Sequence, residues 1–389
     1  MKFKKFITTI LIILTIAGPN LIFFDFFFMS QLLLLLIYPI LYAKTFKKWN
    51  IIFLLLIIFY LFIIIIVNNF IYDFEIIKLP LRILIYFFSA KSVYLLAKQY
   101  YSNNEILSLI LKIIFFNSIF TLSTIIGPLR SFYLEVLVLN EEASFFASKG
   151  LRFFDLAIGG QASASVYFGL SILLLRYFSI NKLMSSSKHL LYWCFIFSAG
   201  IICGRSILLF LIFDLFILIY IKKIFSIKNV FFFVFFLIVG YYLNDLLMKD
   251  YYKLYSWMFE PIINLMNNKN ISSSTDVLKT MLFFPDQIFF GEANLGRSLV
   301  KIKSDIGFVR LIWGYGIFGL LLFTPLFFNS IKIIYESNRL ESIFLSVILF
   351  LLLLFLYKEL WLGSRVLQVY VFIIFIIFKQ KRYDNATIS

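Results

Sequence analysis

The chain has 389 residues, of which 62% are hydrophobic and 14% charged, with a formal net charge of +16. A soluble domain carries about a quarter charged residues, so this composition excludes a soluble globular protein and leaves little chain for a separate soluble domain. With a mean hydropathy of +0.97, it specifies an all-α, polytopic integral membrane protein whose single membrane domain runs over residues 1–389.

A helix needs roughly 20 apolar residues to cross a bilayer. Such stretches lie near 6–22, 27–43, 51–68, 83–97, 106–126, 162–178, 190–204, 206–221, 229–243, 307–328, 342–357 and 364–378, about twelve spans in all. The first, in MKFKKFITTILIILTIAGP, has the basic start and apolar run of a signal peptide. No small-x-small cleavage site follows it, so it is expected to remain as the first helix. Lys91 and Lys112 interrupt the fourth and fifth spans. Cys194 and Cys203 share one span and read as small core residues rather than a disulfide or metal pair. His189, the single histidine, stands in a short basic loop beside Lys188 and is expected to face solvent or headgroups. With no His/Cys cluster, neither a zinc site nor any other metal or cofactor is expected.

Charge distribution predicts sidedness. With a cytoplasmic N-terminus, every inside segment carries at least one Lys or Arg, from Lys2, Lys4 and Lys5 at one end to Lys379, Lys381 and Arg382 at the other. The acids on that side are only Glu105, Glu336, Glu341 and Asp384. Both termini are therefore expected in the cytoplasm, and two longer segments outside it: 127–161 and the large polar interval 244–306. In the large one, DLLMKDYYKLYSWMFEPIINLM has apolar and aromatic residues at helical spacing, interrupted by Pro261. One or two short amphipathic helices lying at the interface are expected there. NNKNISSSTD reads as a turn-rich connector that caps a helix starting near Asp276.

Basic residues at span ends are costly in lipid and tend to serve a function. Arg152, in KGLRFFDLAIGGQASAS, precedes a glycine pair at a helix entrance, with Asp155 close by. A helix N-terminus attracts anions, so this corner suits phosphate; a snorkelling arginine on a Gly-rich turn is the simpler alternative. Arg205, in AGIICGRSILLF, stands at a tight joint between two spans with no acid beside it in sequence. Its partner is expected to be an anionic substrate or a lipid phosphate. Arg297, Lys301, Lys303 and Arg310 cluster around the end of the large interval, with Asp305 expected at or near the N-cap of the following helix. Glu359 and Arg365, in KELWLGSR, are placed to form an ion pair. Guanidinium groups bind phosphate oxygens in paired geometry, so this rim suits a pyrophosphate headgroup with a lipid tail.

Four segments carry a resemblance: RFFDLAIGGQASASVYFGLSILLL, CGRSILLFL, GEANLGRSLVKIKSDIGFVRLIWGYGIFGL and KELWLGSRVLQVY. In their order and spacing, over about residues 150–370, the chain resembles the O-antigen and capsule polymerases of the Wzy type. The resemblance implies a metal-independent glycosyltransferase that joins undecaprenyl-pyrophosphate-linked repeat units at the outer face of the bacterial cytoplasmic membrane. It implies that Arg152 and Arg205 bind the pyrophosphate, with Arg297 or Arg310 assisting and Arg365 on the same rim. The partners implied are the lipid-linked donor and acceptor glycans, the bilayer and a chain-length regulator protein, and not nucleic acid. A general base would help the acceptor hydroxyl; Asp155, Glu292 and Asp305 are the candidates. The related O-antigen ligases carry a functional His in the large outer loop, and this chain has none there.

Two other classes stay open. A twelve-helix transporter or flippase of an anionic solute or lipid-linked glycan would suit the span count. Asp214, in mid-span, would then be the residue to carry proton coupling. Another polyprenyl-phosphate glycosyltransferase would place paired acids in the first outer loop, which here offers only Asp25.

Overall fold

The computed structural model describes residues 2–39, 48–139, 141–156, 161–220, 252, 255, 256, 260, 264, 267, 280–295, 304–358, 360–362 and 364–386. Among these the chain is mostly helical: α1 (Lys2–Ala17), α2 (Phe26–Ile37), α3 (Lys48–Val67), α4 (Glu75–Ala97), α5 (Asn103–Ser123), α6 (Gly127–Val136), α7 (Glu141–Ser148), α8 (Gln161–Ile180), α9 (Ser186–Cys203), α10 (Ile207–Tyr220), α11 (Gly307–Glu336), α12 (Arg339–Lys358) and α13 (Arg365–Ala386). Helix α4, helix α5, most of helix α8, helix α11 and helix α12 are long and apolar enough to cross a membrane. The protein is therefore a membrane-embedded helical chain. Lipid offers no hydrogen bonds to the backbone, and a helix satisfies its own.

Helices overlap eleven of the twelve apolar stretches, though α1 stops at Ala17 where its stretch runs on into a hairpin; the remaining stretch, 229–243, lies outside the described residues, as does 268–276 of the connector. Helix α4 begins earlier than hydropathy suggests. Glu75 in its first turn pairs with Lys78 at 3.2 Å and Arg82 at 3.0 Å, so both cations of the charged start share one carboxylate. Lys91 and Lys112 do not break their helices. Within the large interval, Tyr252, Tyr255, Ser256, Glu260 and Asn264 have helical backbone.

The described residues form two compact units. One comprises Met1–Ile12, Gln31–Asn103 and Ser272–Ser389; the other comprises Ile13–Ser30 and Asn104–Ile271. In the first unit, α4 packs along α13, and α11 along α12. Phe87 and Phe372 meet edge to face at 5.5 Å. Tyr315, 1% exposed, ties three helices together. Its hydroxyl donates to the Ile76 carbonyl at 2.7 Å, and its own carbonyl accepts from the Tyr60 hydroxyl.

In the second unit α8 is the central helix, with α9 and α10 packed against it. A Cβ at Gly169 would stand 2.2 Å from the Phe210 ring, so the bare glycine sets how closely α8 and α10 approach. A short hairpin pairs Asn20–Leu21 with Phe24–Asp25, and Leu21 bridges to Leu137 after α6. Asp25 caps α2, its Oδ1 accepting from the amides of Phe27 and Phe28 at 2.9 and 3.2 Å. The segment 127–156 is not plain coil: α6 and α7 enclose a small core of Leu137, Ala147 and Phe154.

Candidate functional site

Unit two holds the joint between α9 and α10. The Ser165 hydroxyl of α8 donates to the Gly204 carbonyl and accepts from the Ile207 amide at 3.0 Å. One buried side chain thus fixes both sides of Arg205. The joint leaves the Arg205 guanidinium only 11% exposed. Its Nη1 donates to Glu260 Oε2 at 2.6 Å. The large polar interval supplies this arginine with a carboxylate, a partner that the sequence did not show. A lone guanidinium in apolar surroundings is costly, and the pair relieves that.

The strap 152–156 lies against the same end of the bundle. The Phe153 amide donates to the Ile202 carbonyl at 3.1 Å, two residues before Gly204. Asp155 is 1% exposed. Asn117 of α5 holds it there, donating through Nδ2 to Asp155 Oδ2 at 3.1 Å while its Oδ1 accepts from the Leu156 amide at 3.1 Å. Arg152 places its guanidinium 4.8 Å from the centre of the Phe146 ring. Gly159 and Gly160 lie outside the described residues. This unit therefore brings Arg152, Asp155 and Arg205 to one end, and adds Glu260 and Asn117, which sequence reasoning missed. Glu260 is 55 residues from Arg205. Its only local signal is a lone acid in the aromatic run before Pro261.

Deeper in the same unit, Arg176 and Asp214 form a two-pronged ion pair. Nε meets Oδ1 at 2.7 Å and Nη2 meets Oδ2 at 2.8 Å, with side chains 6% and 2% exposed. His189 is buried within electrostatic reach of this pair, which corrects the expectation that it faces solvent or headgroups. It lies one turn into α9 rather than in a loop, and it is buried although Ser186, Ser187 and Lys188 before it are exposed.

Unit one holds the other candidates. Helix α11 breaks at Gly316, where φ is 65° and ψ is −177°. The loop 283–295 fills the break. The Ile317 and Phe318 amides donate to the Ile288 and Phe289 carbonyls at 3.0 and 3.1 Å, and the Trp313 carbonyl accepts from the Glu292 amide at 2.7 Å. Bonds that a continuous helix would make internally are made to the loop instead. The Glu292 carboxylate accepts from the Asp286 amide at 3.2 Å. Arg310 donates twice to the Leu295 carbonyl, from Nε at 3.0 Å and Nη2 at 2.7 Å, so it anchors this loop. Asp305 is not the N-cap of α11. Ile306 holds that position, with no polar atom in its side chain to cap with; the Ser304 hydroxyl accepts from the Ile306 amide at 3.3 Å, and Asp305, one residue before the N-cap, is exposed. Arg365 is the first residue of α13 and partly buried. Arg297, Lys301, Lys303 and Glu359 lie outside the described residues, and with them the expected Glu359–Arg365 pair.

Comparison with family models, with curated proteins and with solved structures finds no match to this chain.

Proposed function

We propose that this chain is a polysaccharide polymerase of about twelve spans, joining undecaprenyl-pyrophosphate-linked repeat units at the outer face of the cytoplasmic membrane. The observation that carries the reading is the Arg205–Glu260 pair, 2.6 Å long at a span joint, in the same unit as Arg152 and Asp155. Glycosyl transfer from a lipid pyrophosphate needs two things that this pair offers. A guanidinium binds phosphate oxygens and stabilises the charge that grows on the leaving group. A carboxylate takes the proton of the acceptor hydroxyl.

In this scheme the donor pyrophosphate enters beside Arg205 and competes with Glu260 for the guanidinium. Release of Glu260 frees its carboxylate as base. The acceptor oxygen bonds to the anomeric carbon of the donor as its proton passes to Glu260. The bond from that carbon to the pyrophosphate oxygen breaks, and its electron pair leaves with the pyrophosphate. Arg152 adds a second cation on the strap. Asp155, buried and held by Asn117, is better suited to fixing the strap than to proton transfer. In unit one, Glu292 and Asp305 are base candidates by themselves and Arg310 holds the loop that carries Glu292; Arg297 and Arg365 keep only the substrate-binding role that the resemblance implies.

The test is elongation of a lipid-linked repeat unit by the purified full-length protein in liposomes. Wild type is expected to build a ladder of products. Arg205→Ala and Glu260→Gln are each expected to lower the rate about 100-fold or more, with membrane insertion unchanged. Normal ladders from Arg205→Ala overturn the role given to it. One observation favours a transporter instead: the buried Arg176–Asp214 pair with His189 beside it, an arrangement also used in proton relays. Uptake or efflux that depends on Asp214, with no elongation, would select that reading.

A further inference from the structure

The hairpin between α1 and α2 turns on two residues, since Leu21 pairs with Phe24. Tight turns in water are built mostly from Gly, Asn, Asp, Pro and Ser. Here the turn is Ile22–Phe23, followed by Phe24, and all three are exposed, Phe23 to 92%. The tip is fastened to the C-terminal end of α6: the Ile22 amide donates to the Val136 carbonyl at 3.1 Å, and the Val138 amide to the Asn20 carbonyl at 2.8 Å. Helix α6 has no buried residue. Leu129 and Phe132 on it, and Ile126 at its N-cap, are exposed. At about 3.6 residues per turn they share one arc. The exposed Ser131 and Glu135 lie on the opposite arc. Tyr133 and Leu134 pack on the small core of Leu137, Ala147 and Phe154 and take up the rest of the apolar surface. An amphipathic helix is thus left with part of its apolar surface uncovered, beside a hairpin with an apolar tip.

Two helix lengths place this patch at a bilayer boundary. Helix α5 has 21 residues, about 32 Å at 1.5 Å per residue, against a hydrocarbon core of roughly 30 Å. Only Thr124–Ile126 separate its end from α6. Tyr133, 10 residues beyond the end of α5, is back against its final turn. Its ring centre lies 4.5 Å from that of Phe120, and the Ser123 hydroxyl donates to its phenol oxygen at 3.5 Å. Helix α6 therefore folds across the end of a span rather than running out into water. Helix α1 has 16 residues, about 24 Å, with exposed Lys4 and Lys5 in its first turn. With those lysines at the headgroups of one face, the hairpin reaches the edge of the core on the other. The patch is also continuous with surface that lipid covers. Ile13 of α1 and Phe28 and Leu32 of α2 are exposed. Asp25, the only charged residue between Lys5 and Lys44, is turned to the cap of α2.

We propose that α6 and the hairpin tip form a shelf inserted into the bilayer surface. Ile22, Phe23, Phe24, Ile126, Leu129 and Phe132 lie among the acyl chains just beneath the headgroups, and Ser131 and Glu135 face water. The partner is the acyl region of one leaflet, the outer one on the sidedness that the charges predict. Segment 127–148, which hydropathy leaves as a loop, lies along the membrane. An interfacial helix of this kind sits about 5–10 Å into the boundary between headgroups and chains. The shelf is independent of the glycan-transfer reading and needs only that the chain be embedded in a bilayer. It also holds the strap 152–156, which packs on the same core through Phe154, at the level of the headgroups.

The experiment is spin labelling of the full-length protein in liposomes of phosphatidylglycerol and phosphatidylcholine, with single cysteines in a background without Cys194 and Cys203. Collision of the label with oxygen, which concentrates among acyl chains, is compared with collision with a water-soluble nickel complex. Every labelled position is exposed, so the label displaces no core. Phe23→Cys and Phe132→Cys are expected to favour oxygen, as the lipid-facing reference Leu32→Cys does, and to report depths of about 5–10 Å below the phosphates. Glu135→Cys, on the opposite arc, is expected to favour the nickel complex, as the water-facing reference Lys182→Cys does. Preference for the nickel complex at Phe23 and Phe132 overturns the proposal, since the patch then stands in water. Labels there that neither reagent reaches overturn it as well, since a second copy or another segment of the chain then covers the patch. So does an oxygen preference at Glu135 equal to that at Phe132, which would mean that α6 has no water-facing side.

Discussion

At the scale of the residue, two arginines show what hydropathy can and cannot reveal. Arg205 announces itself in the sequence as a cation in apolar surroundings that must have an anionic partner. The partner was not legible, because Glu260 is distant in sequence and lies in a stretch with no sharp motif. Arg176 gives no such signal in the sequence, where it is one more basic residue near the end of a span. Its pairing with Asp214 becomes visible only when α8 and α10 are packed together. The two pairs should respond differently to mutation. Asp214→Asn strips the charge from a pair buried at 6% and 2% exposure. Leaving Arg176 buried without its counter-charge is expected to cost about 3–5 kcal/mol. The check is thermal unfolding of purified protein, where Asp214→Asn should fall well below wild type. The double change Arg176→Met/Asp214→Leu should recover most of the loss, since no buried charge then remains. A double variant as unstable as the single one would mean that the pair specifies the packing itself.

At the scale of the element, helix α11 carries the clearest lesson. The glycines of GFVRLIWGYGIFG were legible as a Gly-rich helix after a polar interval. The break was not, since hydropathy is blind to backbone angle. A Cβ at Gly316 would lie 2.1 Å from the Phe289 carbonyl oxygen, and its φ of +65° is one that side-chain-bearing residues rarely adopt. Gly316→Ala is therefore expected to expel the loop 283–295 from the break, while a substitution such as Phe328→Ala, at an exposed position on the same helix, leaves it seated. Hydrogen exchange should show this as lost protection at the amides of Glu292, Ile317 and Phe318, with α4 and α13 unaffected. Retained protection in Gly316→Ala would mean that the glycine is replaceable. Asp305 lies near the N-cap as its position suggested, one residue ahead of it. An acid just ahead of a helix is a sound N-cap signal, but the helix starts one residue later, with Ile306 at the cap.

At the scale of the whole molecule, helix positions were the most legible feature, because a bilayer demands long apolar runs with self-satisfied backbones. Helices overlap eleven of the twelve stretches read from the sequence, and five helices among the described residues are long and apolar enough to span. Helix ends were less legible, as α4 and α13 show, because charged turns at span ends pair with one another and extend the helix. Division into two compact units was not legible at all, since each unit draws on segments far apart in the chain. Sidedness is an expectation of charge alone and has a direct test. Cysteines introduced at exposed Ser148 and exposed Lys182, in a background without Cys194 and Cys203, should behave oppositely toward a membrane-impermeant thiol reagent. Ser148→Cys should label in intact cells, and Lys182→Cys only after permeabilisation. The reverse pattern would invert the topology and move the Arg205 joint to the cytoplasm.

The plugged break in α11 also bears on how the protein is made. Chains are synthesised from the N-terminus, so the carbonyls of Ile288 and Phe289 leave the ribosome before the amides of Ile317 and Phe318 that will bind them. When the second half of this helix reaches the membrane, its acceptors already exist. Unsatisfied backbone groups in lipid cost several kcal/mol each, so a broken helix whose plug came later in the chain would face that penalty throughout its insertion. Here the order of the sequence lets the discontinuity be sealed as it forms, and moving the 283–295 segment downstream of α11 would make the same contacts arrive too late.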